Sequence, residues 1–225
     1  MSYTIQIRRT LDGSDTLFVP ELNEHFHSTF GAVQESQHVF IRHGLQAIDR
    51  NDETVGIFEV GFGTGLNALL TSLAAKKRPG NIRYASVELY PLNKAILDHL
   101  NYVSFLKEPE AGEEFGKIHG IPWGTPAQIH PSFELTKLRG DLRGTEFPDE
   151  TVDIIYFDAF APCVQPELWT VPVFQKLFRI LRPGGMLVTY SCKGQVKRNL
   201  REAGFSIEKL PGPPGKREML RAWKQ

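Results

Sequence analysis

The chain has 225 residues, enough for one large domain, or one domain with a small appendage, around a substantial core. Its 26 basic and 26 acidic residues cancel, but unevenly: from Lys176 to Gln225 there are 12 Lys or Arg against three Asp or Glu, a balance of +9 that leaves −9 for the first 175 residues. No apolar run approaches the roughly 20 residues of a membrane-spanning helix, Met1-Ser2-Tyr3-Thr4-Ile5 shows no signal-peptide pattern, and Cys163 and Cys192 form no C-x-x-C pair, so a cytoplasmic protein is expected.

Residues 3 to 9 and 15 to 19, flanking Asp12-Gly13-Ser14, read as a β-hairpin, and a helix is expected from about Val33 to Ile48. His25 and His27 fall on one face of an extended segment, but no third ligand lies nearby and no metal site is expected. Next come Val55, Ile57, Phe58 and Val60, which suit a buried strand, and Leu66, Leu69, Leu70 and Leu73, which recur at helical spacing. Gly61, Gly63 and Gly65 lie between them, at a strand-to-helix turn. Such a turn lets a ligand approach the main chain, with the amides of the next helix facing it. In the dinucleotide pattern G-x-G-x-x-G the third glycine stands at the sixth position; here that position is Leu66, the third glycine comes one residue early, and Glu59 precedes the first by two. The triplet alone leaves open a dinucleotide, another nucleoside cofactor, and a turn with no ligand.

A second strand, with Ile82, Tyr84, Ser86 and Val87, ends in Glu88, 27 positions after Gly61, where an acid accepts hydrogen bonds from ribose hydroxyls. A helix near Leu92 to Leu100 and a less regular region from Pro109 to Pro131 come next. Phe133 to Leu138 reads as strand three, with Asp141 in the turn after it, and Val152 to Phe157 as strand four. Asp158 then stands at the carboxyl edge of that strand, where open α/β sheets bind ligands. There a carboxylate can accept a hydrogen bond from an amine nucleophile and take its proton; capping the next turn is the plainer role. Phe160 offers a flat apolar face to a nucleobase. Helices near Val173 to Leu181 and Gln195 to Ala203 flank strand five, Met186 to Tyr190. Two last strands, Phe205 to Lys209 and Lys216 to Trp223, surround Pro211-Gly212-Pro213-Pro214-Gly215 and should pair antiparallel. This alternation predicts an α/β, doubly wound, mostly parallel sheet with helices on both faces, a C-terminal antiparallel hairpin and a small N-terminal β-hairpin extension. The basic stretch from Lys176 to Gln225 has the composition of a phosphate-backbone footprint, or of a surface balanced against the acidic part.

The E-x-G-x-G-x-G stretch beginning at Glu59 resembles motif I of class I S-adenosylmethionine methyltransferases, which have a Rossmann-like fold. More specifically, residues 57–67 (IFEVGFGTGLN), 157–162 (FDAFAP) and 166–170 (PELWT) together resemble the methyltransferase domain of MnmC, the bifunctional tRNA 5-methylaminomethyl-2-thiouridine biosynthesis family. Residues 30–36 with Val39-Phe40, 181–185 with Thr189-Tyr190, Lys193-Gly194 and 211–220 extend the resemblance over roughly residues 15–223. It implies an N-terminal extension over 1–50 and a methyltransferase domain over 51–225. It also implies S-adenosyl-L-methionine as methyl donor, held by Glu59, Gly61, Gly63, Thr64, Gly65, Asn67, Glu88, Asp141 and Asp158. The implied acceptor is the primary amine of 5-aminomethyl-2-thiouridine at the wobble position of the tRNA anticodon loop. Asp158 and Phe160 would be catalytic, and Phe160, Gln165, Lys193, Lys216 and Arg217 would meet the substrate, with Lys197 and Arg198 near phosphates and Glu35 and Ser36 near the site. Cys163-Val164-Gln165 departs from the family, which commonly has a polar or basic residue and Asn there; Gln165 keeps an amide. No FAD-dependent oxidase domain follows Gln225, so a stand-alone methyltransferase is expected, with the aminomethyl nucleoside made by a separate enzyme. The alternatives are a small-molecule amine methyltransferase on the same fold and a non-catalytic S-adenosylmethionine-binding module.

Overall fold

The computed structural model describes residues 3–50 and 53–225. A small antiparallel sheet opens it: β1 (Gln6–Arg9), β2 (Asp15–Val19) and β3 (Glu24–His25). The third strand was not expected; it pairs only two residues, Glu24 and His25, with the end of β2. The helix expected over Val33 to Ile48 is α1 (Ala32–Ser36), running into a π-helical turn at Gln37–Arg42 and a separate 3-10 turn at Leu45–Ala47.

The main sheet is built from β4 (Val55–Val60), β5 (Ile82–Glu88), β6 (Ala127–His130), β7 (Phe133–Arg139), β8 (Val152–Phe157), β9 (Leu181–Thr189), β10 (Ser206–Pro211) and β11 (Glu218–Trp223), in the order β10-β11-β9-β8-β4-β5-β7-β6. Strands β9, β8, β4, β5 and β7 are parallel; β6 and β11 run antiparallel to them at either side, and β10 pairs antiparallel with β11 at the outer edge. The terminal hairpin is in register from Ser206 opposite Trp223 to Pro211 opposite Glu218.

Helices cover both faces, and the strands are apolar on both sides as central parallel strands must be. Successive side chains of a strand point to opposite faces. Ile57, Tyr84, Ile154 and Tyr156 accordingly join the core under α2 (Leu66–Ala75), whereas Phe58, Ile155 and Phe157 join the core under α6 (Val171–Ile180) and α7 (Gly194–Glu202). On the α2 side the chain also forms α3 (Lys94–Leu97), α4 (Tyr102–Leu106) and α5 (Ala111–Gly120). The stretch expected to be irregular from Pro109 to Pro131 thus contains a ten-residue helix and an edge strand.

The strand order fixes where a ligand can sit. The chain leaves β4 toward β5 on one side and returns to β8 on the other, so a crevice opens between the loops after β4 and β8, the switch point at which open α/β sheets hold ligands.

Candidate active site

The strand ladder continues into the two crossing loops. The Gly61 amide donates to the Val87 carbonyl at 3.0 Å, and the Asp158 amide to the Val60 carbonyl at 3.0 Å. Gly61 has φ +91°, and a Cβ there would stand 2.8 Å from the backbone oxygen of Asp158. Only glycine lets these two loops pass so closely. Gly65 takes φ +73° just before α2, where a Cβ would meet the His119 ring at 2.9 Å.

A cavity of about 310 Å³ lies over these loops, a size suited to a small-molecule site. Gly61, Gly63, Thr64 and Asn67 form its floor, Glu88 and Asp141 one end, and Asp158, Phe160 and Gln165 the other. Glu88 accepts hydrogen bonds from the amides of Gly63 (3.0 Å) and Tyr90 (2.8 Å), so its carboxylate is fixed with lone pairs to spare. Asp141 is held by the Arg143 guanidinium at 2.6 Å, which keeps its carboxyl below the usual range. The buried Thr64 hydroxyl accepts from Tyr102 at 3.2 Å.

Asp158 lines the other end, whereas Glu59 and Gly65, both expected at the cofactor, are not among the lining residues. Asp158 Oδ2 accepts from the buried amide of Asn67 at 2.7 Å. Burial, with the negative charge of Glu35 nearby, pushes Asp158 up to about 7, against the opposing pull of Asn67 and Lys216. Glu59 lies inside β4, fully buried, where its Oε2 accepts from Ser86 Oγ at 2.7 Å and its Oε1 has no partner among the described residues. Burial pushes it up to about 8. At neutral pH Glu59 is therefore a neutral acid and Asp158 a titrating one.

The Asp158 loop is braced from three sides. Gln165 Oε1 accepts from the Phe160 amide (2.9 Å), Trp169 Nε1 donates to the Phe160 carbonyl (2.9 Å), and Tyr190 donates from its hydroxyl to the Ala159 carbonyl (2.8 Å). Gln165 thus spends its amide oxygen on shaping the loop. The Phe160 ring meets Phe26 edge to face, 5.0 Å between centroids. Phe26 and the buried His27, whose imidazole burial depresses to about 4, belong to the N-terminal segment and line the cavity.

Lys193, Lys216 and Arg217 are not among the lining residues. Lys193 and Arg217 are exposed, Lys193 immediately before α7 and Arg217 beside the terminal hairpin turn. Lys216 is turned inward: its ammonium pairs with the buried Glu35 and sits 4.2 Å from the Tyr190 ring centre. Glu35 also accepts from the Ser28 amide at 2.7 Å. This ion pair joins the N-terminal segment to the terminal hairpin. Sequence reasoning placed Glu35 and Lys216 near the site separately, but nothing in a linear chain signals a partner 181 positions away.

Residues 128–225 match the model of a family described as S-adenosyl-L-methionine-dependent methyltransferase. With the fold and the glycine turn, that match likens the chain to S-adenosyl-L-methionine-dependent methyltransferases. The particular resemblance is to the methyltransferase part of MnmC. The tRNA 5-methylaminomethyl-2-thiouridine biosynthesis bifunctional protein MnmC of Ralstonia nicotianae is 34% identical over 217 residues, 91% of this chain and 32% of that protein. The MnmC of an Azoarcus species is 34% identical over 206 residues, 87% of this chain and 32% of the relative. The chain therefore spans about a third of the length of the curated relatives it matches. The crystal structure of MnmC2 from Aquifex aeolicus superposes on 100% of this chain and 71% of its own, at a TM-score of 0.78 and 25% identity.

Proposed function

We propose that this chain transfers a methyl group from S-adenosyl-L-methionine to the primary amine of 5-aminomethyl-2-thiouridine at the tRNA wobble position. The observation that carries the proposal is Asp158: a half-buried carboxyl at the switch point, aimed by Asn67 across the glycine turn and raised to about 7, where it can act as a general base.

The residues suit the donor. The close approach at Gly61 leaves main chain exposed to a ligand, the fixed Glu88 carboxylate has lone pairs for ribose hydroxyls, and Asp141 stands at the same end for the adenine amino group, sharing its charge with Arg143. S-adenosyl-L-methionine, when bound, supplies an activated methyl group on a sulfonium. Asn67 holds the Asp158 carboxylate, which accepts a hydrogen bond from the acceptor amine and takes its proton. Phe160, clamped through its backbone, presents its ring as a stacking surface for the modified base. Excluding water from this end strengthens each of these contacts.

Residues 1–50 act in this reading as an extension that covers the site of a methyltransferase domain over 51–225, since Phe26 and His27 reach its wall. Lys193, Lys197, Arg198 and Arg217 supply positive charge for the anticodon-loop phosphates. They would offset the roughly few kcal/mol needed to withdraw the wobble base from its stack. The acceptor being tRNA, the place of action is the cytoplasm, and a reaction that installs the aminomethyl group must come first.

The test is methyl transfer to tRNA that carries 5-aminomethyl-2-thiouridine, together with mass spectrometry of wobble nucleosides from cells lacking the gene. Accumulation of the aminomethyl nucleoside is the expected result. An unchanged nucleoside profile, with turnover of free small amines, would replace tRNA with a small-molecule acceptor; donor binding without any turnover would leave a binding module.

A further inference from the structure

A second cavity, about 180 Å³, lies behind the glycine turn and takes no part in the proposed methyl transfer. Phe62 of the turn, Phe115 and His119 of α5, Trp123, and Lys137 of β7 line it. Lys137 occupies an inward position of β7, after Phe133 and Leu135, and is 2% exposed. Its ammonium donates to the His119 carbonyl at 3.0 Å and lies 5.1 and 5.6 Å from the ring centres of Trp123 and Phe62.

One carbonyl and two aromatic faces are a thin replacement for water. Burial alone depresses Lys137, to about 8, and among the described residues no carboxylate offsets it. An ammonium buried without a counter-charge costs several kcal/mol. The cavity thus has a cation at its base, aromatic walls and, among the described residues, no anion beside that cation. Asp98 and Lys94, which also line it, are paired with each other at 2.5 Å and together bring no net charge.

We propose that this cavity is a binding site for a small monocarboxylate with a planar apolar body, the carboxylate on Lys137 and the body against Phe62, Phe115 and Trp123. Such a site does not depend on which acceptor the first cavity takes. Phe62 also lines the donor cavity, so a guest at Lys137 is linked to donor affinity, and the linkage is reciprocal.

Benzoate is the probe, with inorganic phosphate as the comparison, both followed by calorimetry and by thermal unfolding of the full chain. Two variants separate charge from space. Lys137→Met removes the cation and keeps an apolar side chain. Gly116→Leu fills the cavity mouth: a Cβ at Gly116 meets nothing within 4 Å, and leucine is the better helix former. Benzoate is expected to bind and stabilise the wild type, to bind at least about tenfold more weakly to each variant, and to change the donor dissociation constant. Phosphate is expected to bind more weakly than benzoate, and both variants to keep wild-type donor affinity without benzoate. Benzoate binding that is absent in the wild type, or equal in wild type and either variant, would overturn the proposal. So would stronger binding of phosphate. Loss of donor binding in Lys137→Met would overturn it too, assigning the lysine to the donor's own carboxylate instead.

Discussion

Replacing Asp158 with Asn tests the proposed chemistry with the least disturbance of shape. The substitution keeps the side-chain volume, and the new amide can turn its oxygen toward Asn67, whose donor lies 2.7 Å from the present carboxylate. What disappears is the ability to take a proton. A positioned base is worth about 10²- to 10⁴-fold, so kcat should fall by that factor while donor affinity, read by calorimetry, changes by less than about tenfold. The pH profile gives a sharper reading. With Asp158 raised to about 7, the wild-type kcat/KM should climb as pH approaches 7 and flatten above it, because only the ionised carboxylate accepts the amine's proton. In Asp158→Asn that limb should vanish, leaving only a rise at higher pH as the free amine loses its own proton. Transfer of labelled methyl to aminomethyl-tRNA under single-turnover conditions reports both quantities without product release. A variant within about threefold of wild type that retains the limb near pH 7 would refute the role of Asp158.

The same geometry sets three further outcomes. Glu59 has a folded pKa of about 8 against an ordinary 4.5, so the folded state holds a proton that the unfolded chain has released, and stability falls as pH rises through that window. Glu59→Gln, a mimic of the neutral acid, should flatten the decline and be more stable than wild type by roughly 1–3 kcal/mol near pH 8; equal urea midpoints there for both proteins would show that Glu59 ionises freely. Phe160→Ala should raise the KM for tRNA by about 10- to 100-fold through lost base stacking, with donor affinity unchanged, and a normal tRNA KM would remove Phe160 from the acceptor site. Gly61→Ala must adopt a positive φ and push on the Asp158 carbonyl, so it should cost roughly 1–3 kcal/mol in denaturant unfolding and weaken donor binding. Wild-type stability and donor affinity in that variant would show that the loops do not need their close approach.

The central strands and the glycine turn were legible because each is encoded locally. The run from Val55 to Val60 is apolar but for Gly56 and Glu59, Gly61 and Gly65 announce a main chain with positive φ, and Asp158 directly follows an apolar strand. Helix α5 was obscured by Gly112, Gly116 and Gly120, one every four residues, and by burying chiefly Ala111, Glu114 and Ile118, a stripe too thin to read as periodic. The helix after Val33 failed for another reason: its apolar spacing persists past Ser36, but the chain continues as a π-helical turn and then breaks at Gly44, where a Cβ would lie 2.3 Å from the Phe40 carbonyl oxygen. Lys137 carried a signal that was available: a lysine at the inward position of an alternating strand breaks the pattern of Phe133 and Leu135. The bond between Asn67 and Asp158 and the pair of Glu35 with Lys216 carried none, because tertiary folding alone brings those residues together.

The energetics of proton removal connect these groups. An ordinary carboxylate near 4 and an alkylammonium near 10.4 are mismatched by about 6 pKa units, or roughly 9 kcal/mol at 1.36 kcal/mol per unit. Raising Asp158 to about 7 removes close to half of that cost, which a solvent-exposed aspartate at the same position could not do. The rest has to come from the amine, and the site acts on it in the same direction. Desolvation within the cavity disfavours the ammonium form, while the Glu35–Lys216 pair sets both signs of charge near Asp158, with Glu35 felt there more strongly than Lys216. Glu59 must stay neutral for this to work, since a second full negative charge beside Asp158 would stabilise the ammonium that has to lose its proton. Its enclosure inside β4 keeps it protonated to about pH 8, so of Glu59 and Asp158 it is Asp158, the one that lines the cavity, that ionises first.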